Sequence, residues 1–238
     1  MDQFLRENYT LLNDGVVILA AMVGLILYRK FKDSNAKYFI YFLIYAALVD
    51  FLGGYPSFMD KYEFLESIKS ILEGTKFERN FWWSTIFWKV GSVLFFSFYF
   101  HRILKKVRFK KIIWFEGWLF FSFCLIYIIL NWEQLFTSSF PIISILGAII
   151  ILSCAILYFI EILEGDRILK FYKSLNFYIS SAILVWWLVR TPIIFFDIYF
   201  SREDWDFVIL RYHLYLFSNI FMYLSFVIGM IWSRPENE

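Results

Sequence analysis

Seven mostly apolar stretches recur along the chain, near residues 15–28, 38–57, 82–100, 112–130, 140–161, 176–198 and 213–232. An α-helix needs about 20 such residues to cross the hydrocarbon of a bilayer. Backbone in lipid must satisfy its hydrogen bonds within its own segment, so the pattern predicts an all-α, polytopic membrane protein: one domain over residues 1–238, a bundle of about seven transmembrane helices. The first stretch is the shortest, bounded by Asn13-Asp14-Gly15 and Arg29-Lys30. To span, it needs flanking side chains that snorkel or a preceding amphipathic turn over residues 4–12. Six spans is the rival count.

Composition points the same way. Hydrophobic residues make up 61% of the 238 and the mean hydropathy is +0.62, well above the roughly 45–50% apolar content of soluble domains. Aromatics reach 24%, with 31 Phe, 16 Tyr and 10 Trp, rings suited to lipid contact and to the headgroup belt. A secretory leader starts basic and runs straight into an apolar stretch, whereas Asp2, Arg6, Glu7 and Asp14 precede this one, so the first span is expected to be retained. Cys124 and Cys154 fall in apolar runs at depths about 9 Å apart, beyond the roughly 4.4–6.8 Å between disulfide-linked Cα atoms, and read as buried thiols.

The net charge of +2 gives no sign of a nucleic-acid partner; the distribution of charge is what informs. Segments after spans one, three, five and seven hold fourteen Lys and Arg, six of them between Arg102 and Lys111, against seven on the opposite side. Cytoplasmic loops carry the excess, so the expected orientation in the cell membrane is N-terminus out and C-terminus in. The basic stretch 101–111 suits an anionic inner leaflet. On the outer side, Phe58, Tyr62, Leu65, Ile68 and Leu72 recur three or four apart with charges between them, and Gly74 offers a stop. This predicts one amphipathic helix over 58–73 lying on the outer surface, as an anchor for spans two and three or as a lid.

Ionisable residues inside a span cost about 2.5–3.5 kcal/mol on insertion scales and usually face the bundle interior. Asp50, Lys89, Arg190 and the amide Asn219 are such residues. Counted at 1.5 Å per residue, all four fall in one layer of the outer half of the membrane. Consecutive spans make an Asp50–Lys89 ion pair the first expectation, with Asp197 two turns from Arg190 on the same face. Two readings stay open: a packing clasp, or a ligand site in which Arg190 and Lys89 present positive charge to a small anionic or amphiphilic ligand. In the second, Trp186, Trp187 and Trp83 form apolar walls and Pro192 frees the Leu188 carbonyl beside Arg190. His101 and His213 fall at opposite faces and share no metal, and Glu116 and Glu161 are expected to pair with nearby Lys and Arg. No metal or cofactor is expected.

The sequence has no His-Glu-x-x-His, Gly-x-Ser-x-Gly, Cys-x-x-Cys or glycine-rich phosphate cradle, which argues against an enzyme. Seven N-out spans resemble the rhodopsin arrangement, yet residues 213–232 contain no lysine to hold retinal. Spans two and six both open on aromatics, Tyr38-Phe-Ile-Tyr41 and Phe177-Tyr-Ile, and place a charge twelve or thirteen residues later, at Asp50 and Arg190. With span four as a linker this is similar to the three-plus-one-plus-three arrangement of sugar-efflux and PQ-loop transporters, although the Pro-Gln pair is absent. Three functions compete. They are a receptor-like sensor without an output domain, signalling through a cytoplasmic or membrane partner; a small-solute transporter or pore; and an oligomeric effector or scaffold, for which Gly147, Ala148, Ser153 and Ala155 offer a close-packing stripe. The inner half of the spans offers few polar residues, chiefly Ser122, Ser153, Ser180 and Ser181. A dead-end site therefore fits better than a path.

The charge asymmetry is directly testable. Reporter fusions at Lys106 should signal cytoplasm and fusions at Lys69 the outside, whereas the opposite pair of signals reverses the orientation.

Overall fold

The computed structural model describes residues 8–165, 171–199 and 205–235, and the side chains of all of these except 195–199 and 205–206. The described residues form helices and no strand. In chain order these are α1 (Tyr9–Phe31), α2 (Ala36–Gly53), α3 (Tyr55–Lys61), a 3-10 turn (Glu63–Leu65), α4 (Glu66–Leu72), α5 (Phe81–Trp83), a π segment (Ser84–Val90), α6 (Gly91–Ile103), α7 (Val107–Leu130), α8 (Gln134–Thr137), α9 (Pro141–Leu163), a second 3-10 turn (Phe171–Lys173), α10 (Leu175–Tyr199) and α11 (Trp205–Trp232).

Six of them, α1, α2, α7, α9, α10 and α11, are long and apolar enough to cross a membrane, and the chain is a multi-pass membrane protein. The stretch expected as the third span is helical from Phe81 to Ile103, but a π segment divides it, and its longest α portion, α6, has 13 residues.

Neighbouring helices form a closed circuit, α1–α2–α6–α9–α10–α11 and back to α1, with α7 outside it against α6 and α9. The sequence of α7 explains its place. Only Ile113, Gly117, Phe120 and Cys124 are buried, a single stripe at helical spacing, while Trp114, Phe115, Trp118 and Leu119 face outward. Both cysteines are free and buried. The order of neighbours is unchanged when α1, α2 and α6 are exchanged with α9, α10 and α11.

Helices α1 and α11 run parallel. At one end Lys30 Nζ donates to the carbonyls of Met230 (2.9 Å) and Ile231 (3.0 Å), a cation closing the C-terminus of α11; at the other, the rings of Tyr9 and Tyr212 meet edge to face at 5.4 Å.

Charges near the basic end settle differently from the expected Lys and Arg pairs. The N-terminal N–H groups of a helix lack intrahelical acceptors, and the Glu161 carboxylate of α9 accepts from the backbone N–H of Lys105 (2.8 and 3.0 Å) and of Lys106 (2.8 Å) at the start of α7. Glu164, not Glu161, pairs with the Lys106 ammonium. Glu116 accepts from Ser153 Oγ at 3.1 Å. The small residues of α9 are used within the chain: Gly147, Ala148 and Ala155 are buried, and a Cβ on Gly147 would lie 2.7 Å from Val93 of α6.

The segment expected as one amphipathic helix over 58–73 is two short helices. Tyr62 is extended (φ −116°, ψ 113°) and separates α3, which starts one residue before Pro56, from α4. The break folds α4 back so that Lys69 meets Asp60 at 2.8 Å; Phe64 and Ile71, both more than 70% exposed, point outward. A left-handed Gly74 (φ 74°) ends the segment. Its return is pinned by Tyr55, which donates to the carbonyls of Phe77 (2.5 Å) and Arg79 (3.0 Å), and by Asn80 Nδ2, which donates to the Gly53 carbonyl (2.6 Å).

Glu161→Ala removes the acceptor that closes the α7 N-terminus and should lower the stability of the detergent-solubilised protein by about 1–3 kcal/mol, with Glu161→Gln intermediate. Lys106→Ala, which removes an exposed ion pair and an ammonium–ring contact with Phe109, should cost less than about 1 kcal/mol. Thermal unfolding that ranks the two alanine variants equally contradicts this account.

Candidate functional site

The π segment is the local feature from which the site is built. In an α-helix the Phe87 carbonyl accepts from the N–H of Gly91. Here the Tyr45 hydroxyl, reaching across from α2, donates to that carbonyl at 2.5 Å, and the Gly91 N–H bonds instead to the carbonyls of Ile86, one residue further back, and Trp88. A side chain inserted into the ladder is a recognised cause of such a distortion, and π turns are frequent at functional sites. Glycine is required at this point, because a Cβ on Gly91 would lie 2.6 Å from the Tyr45 oxygen.

The wider turn re-aims the face that carries Trp88 and Lys89, and both line a cavity of about 100 Å³ inside the circuit of helices. From α10 the same cavity receives Trp186, Trp187 and Arg190, and from α11 it receives Tyr223. Trp186 and Arg190 are four apart on one helical face. The guanidinium carbon lies 4.4 Å from the Trp186 ring centroid and 4.0 Å from that of Tyr215 on α11. Contacts of this kind reach about 2 kcal/mol when desolvated, enough to offset much of the insertion cost of one charge. Arg190 also has a side-chain hydrogen bond with Tyr215.

Asn219, one turn beyond Tyr215, accepts from Trp186 Nε1 at 2.6 Å and donates to Asn13 Oδ1 at 2.7 Å. Asn13 in turn donates to Asp14 at 3.2 Å. A polar chain therefore runs from α1 through α11 to the indole beneath Arg190, and fixes the orientation of that ring. Thr191 Oγ1 donates to the Trp187 carbonyl at 2.7 Å, next to Pro192 within the helix.

The sequence-based candidates thus separate. Arg190, Lys89, Trp186 and Trp187 line the cavity. Asn219 supports it from behind. Asp50 forms no ion pair with Lys89; among the described residues, neither Lys89 nor Arg190 has a carboxylate within 4 Å. Asp50 lies instead within electrostatic range of Asp14 and Arg190, and Lys89 within range of Arg190. Lys89 is carried by the π segment and lines the same cavity as Arg190. Trp83 is a bracket, not a wall: its Nε1 donates to the Val49 carbonyl at 2.9 Å and its ring covers Gly53. The side chain of Asp197 lies outside the described residues. Trp88, Tyr215, Tyr223 and Asn13 were not expected at the site, although Tyr215, Asn219 and Tyr223 at spacing four were a readable stripe.

Lys89 and Arg190 thus share a cavity whose wall includes Ser92, Ser144 and Tyr223. Among the described residues, no group of three or more His, Cys, Asp or Glu comes together to hold a metal ion. No known protein family, curated protein or solved structure matches the chain.

Gly91→Ala forces a methyl group against the Tyr45 hydroxyl and should destabilise by about 1–3 kcal/mol. Removing that oxygen in a Tyr45→Phe, Gly91→Ala double variant should recover most of the loss. A double variant no more stable than Gly91→Ala alone, by thermal unfolding in detergent, refutes the proposed cause of the π turn.

Proposed function

We propose that this chain is a seven-span membrane receptor, N-terminus out and C-terminus in, that binds a small anion between Lys89 and Arg190 and passes the resulting helix movement to a protein partner at its basic, cytoplasmic end. The observation that carries the reading is the cavity with two cations, indole walls and no described carboxylate within ion-pair distance. A clasp would join cation to anion; these two cations face a space. A volume of about 100 Å³ lies below the roughly 300–1,000 Å³ of drug-sized sites, which favours a compact anion over an amphiphile.

Parallel packing of the first and last long helices supports the count of seven, since an odd number of crossings returns the chain in its starting direction, and residues 81–103 then supply the remaining passage. The asymmetry of basic residues supports the orientation. A second reading, a small-anion transporter, draws on the neighbour order that survives exchange of the two helix triplets, the contact pattern of a parallel repeat.

Small monoanions, chloride, nitrate, bicarbonate and acetate, should raise the unfolding temperature of the wild-type protein in detergent relative to a sulfonate-buffered, anion-depleted control. Saturation a hundredfold above Kd corresponds to about 2.7 kcal/mol. Lys89→Met and Arg190→Gln should each remove most of the response. Equal shifts in wild type and both variants would rule out this site. Counterflow of the stabilising anion in proteoliposomes, lost in the same variants, selects the transporter reading over the receptor.

A further inference from the structure

We infer that the groove between α6 and α7 is a binding site for an anionic phospholipid, which lays an acyl chain along the groove and its phosphate at the basic end. The groove encloses about 390 Å³, against about 100 Å³ for the anion cavity, and lies on the other side of α6. Its two helices run antiparallel, so its chemistry is ordered along its length. At one end stands His101, within electrostatic range of Arg102 and Lys110; the Arg102 guanidinium lies 5.2 Å from the ring of Phe98, a groove wall. One turn inward is Ser97, 6% exposed, which packs on Gly117 of α7 at the groove floor. Beyond it the walls are Leu94, Trp118 and Phe121. From His101 to Leu94 the helix rises about 10 Å.

Cations at one end and an apolar trough beyond them is the order of phosphate and acyl chain in a glycerophospholipid. Gly117 lets the two helices meet closely at the floor of the trough: a Cβ there would lie 3.2 Å from the Ser97 Cβ. The outward-facing Trp114 and Trp118, each more than half exposed, flank the trough on the bilayer side. Basic groups beside a membrane favour anionic over zwitterionic headgroups.

The test uses the full chain in phosphatidylcholine nanodiscs. Phosphatidylglycerol with brominated acyl chains should quench tryptophan fluorescence at a lower mole fraction than brominated phosphatidylcholine does. Arg102→Gln and Lys110→Gln, which each remove one cation from this end, should each raise the required fraction about fivefold. In native mass spectrometry the wild type should retain phosphatidylglycerol through delipidation, and Leu94→Trp, which fills the tail end, should lose it. Equal quenching by the two lipids, or unchanged behaviour of both charge variants, overturns the proposal. A two-chain assembly abolished by Leu94→Trp also overturns it, because the groove is then an interface between copies.

Discussion

A helix carbonyl that loses its backbone donor needs another, and at Phe87 the donor that satisfies it is a side chain. The bond from Tyr45 displaces the Gly91 N–H to Ile86, and the extra residue in that turn sets which face of residues 84–90 meets the other helices. Trp88 and Lys89 enter the cavity because of it. The same contact ties α2 to the segment that precedes α6, closing the circuit of helices around the site. A single hydroxyl thus couples backbone satisfaction, helix packing and the placement of a charge.

The charged groups divide by what surrounds them. Near the basic end, carboxylates meet donors directly: Glu161 holds two backbone N–H groups and Glu164 the Lys106 ammonium. Deeper in the bundle, Arg190 is flanked by aromatic faces. Rings lower the cost of burying the cation without neutralising it, and Asp50 stands within electrostatic range of Arg190 without an ion pair to Lys89 or Arg190.

How much was legible in the sequence follows from the range of each interaction. Helix positions are written in runs of apolar residues, and the stacking of Arg190 on Trp186 is a spacing of four along one helix. The partner of Lys89 depends on a turn created by a residue 44 positions earlier, Tyr45, in a different helix, and no local periodicity encodes it. The same reason explains why Trp88 lines the cavity in place of Trp83, since the α-helical count carries the wrong face through a π segment. Glu161 was readable as a charge near a span end, but its partners are backbone groups in a loop 55 and 56 residues away, and backbone donors leave no mark in a sequence. The break at Tyr62 is likewise invisible to an apolar period that continues through it.

Helix α6 is the wall shared by both candidate sites. Ser92, Val93 and Phe96 face the anion cavity, while Leu94, Ser97 and His101 face the lipid groove. It is packed tightly on both sides, Val93 against Gly147 of α9 and Ser97 against Gly117 of α7, so a rotation or shift that enlarges one space must alter the other. Interfaces packed to this density move between discrete arrangements and do not deform continuously. If an anion between Lys89 and Arg190 and a lipid beside Ser97 each prefer one setting of α6, linkage requires that each change the affinity of the other by the same factor. On that proposal the composition of the surrounding leaflet would tune the site through α6, which ends at His101, Arg102 and Ile103.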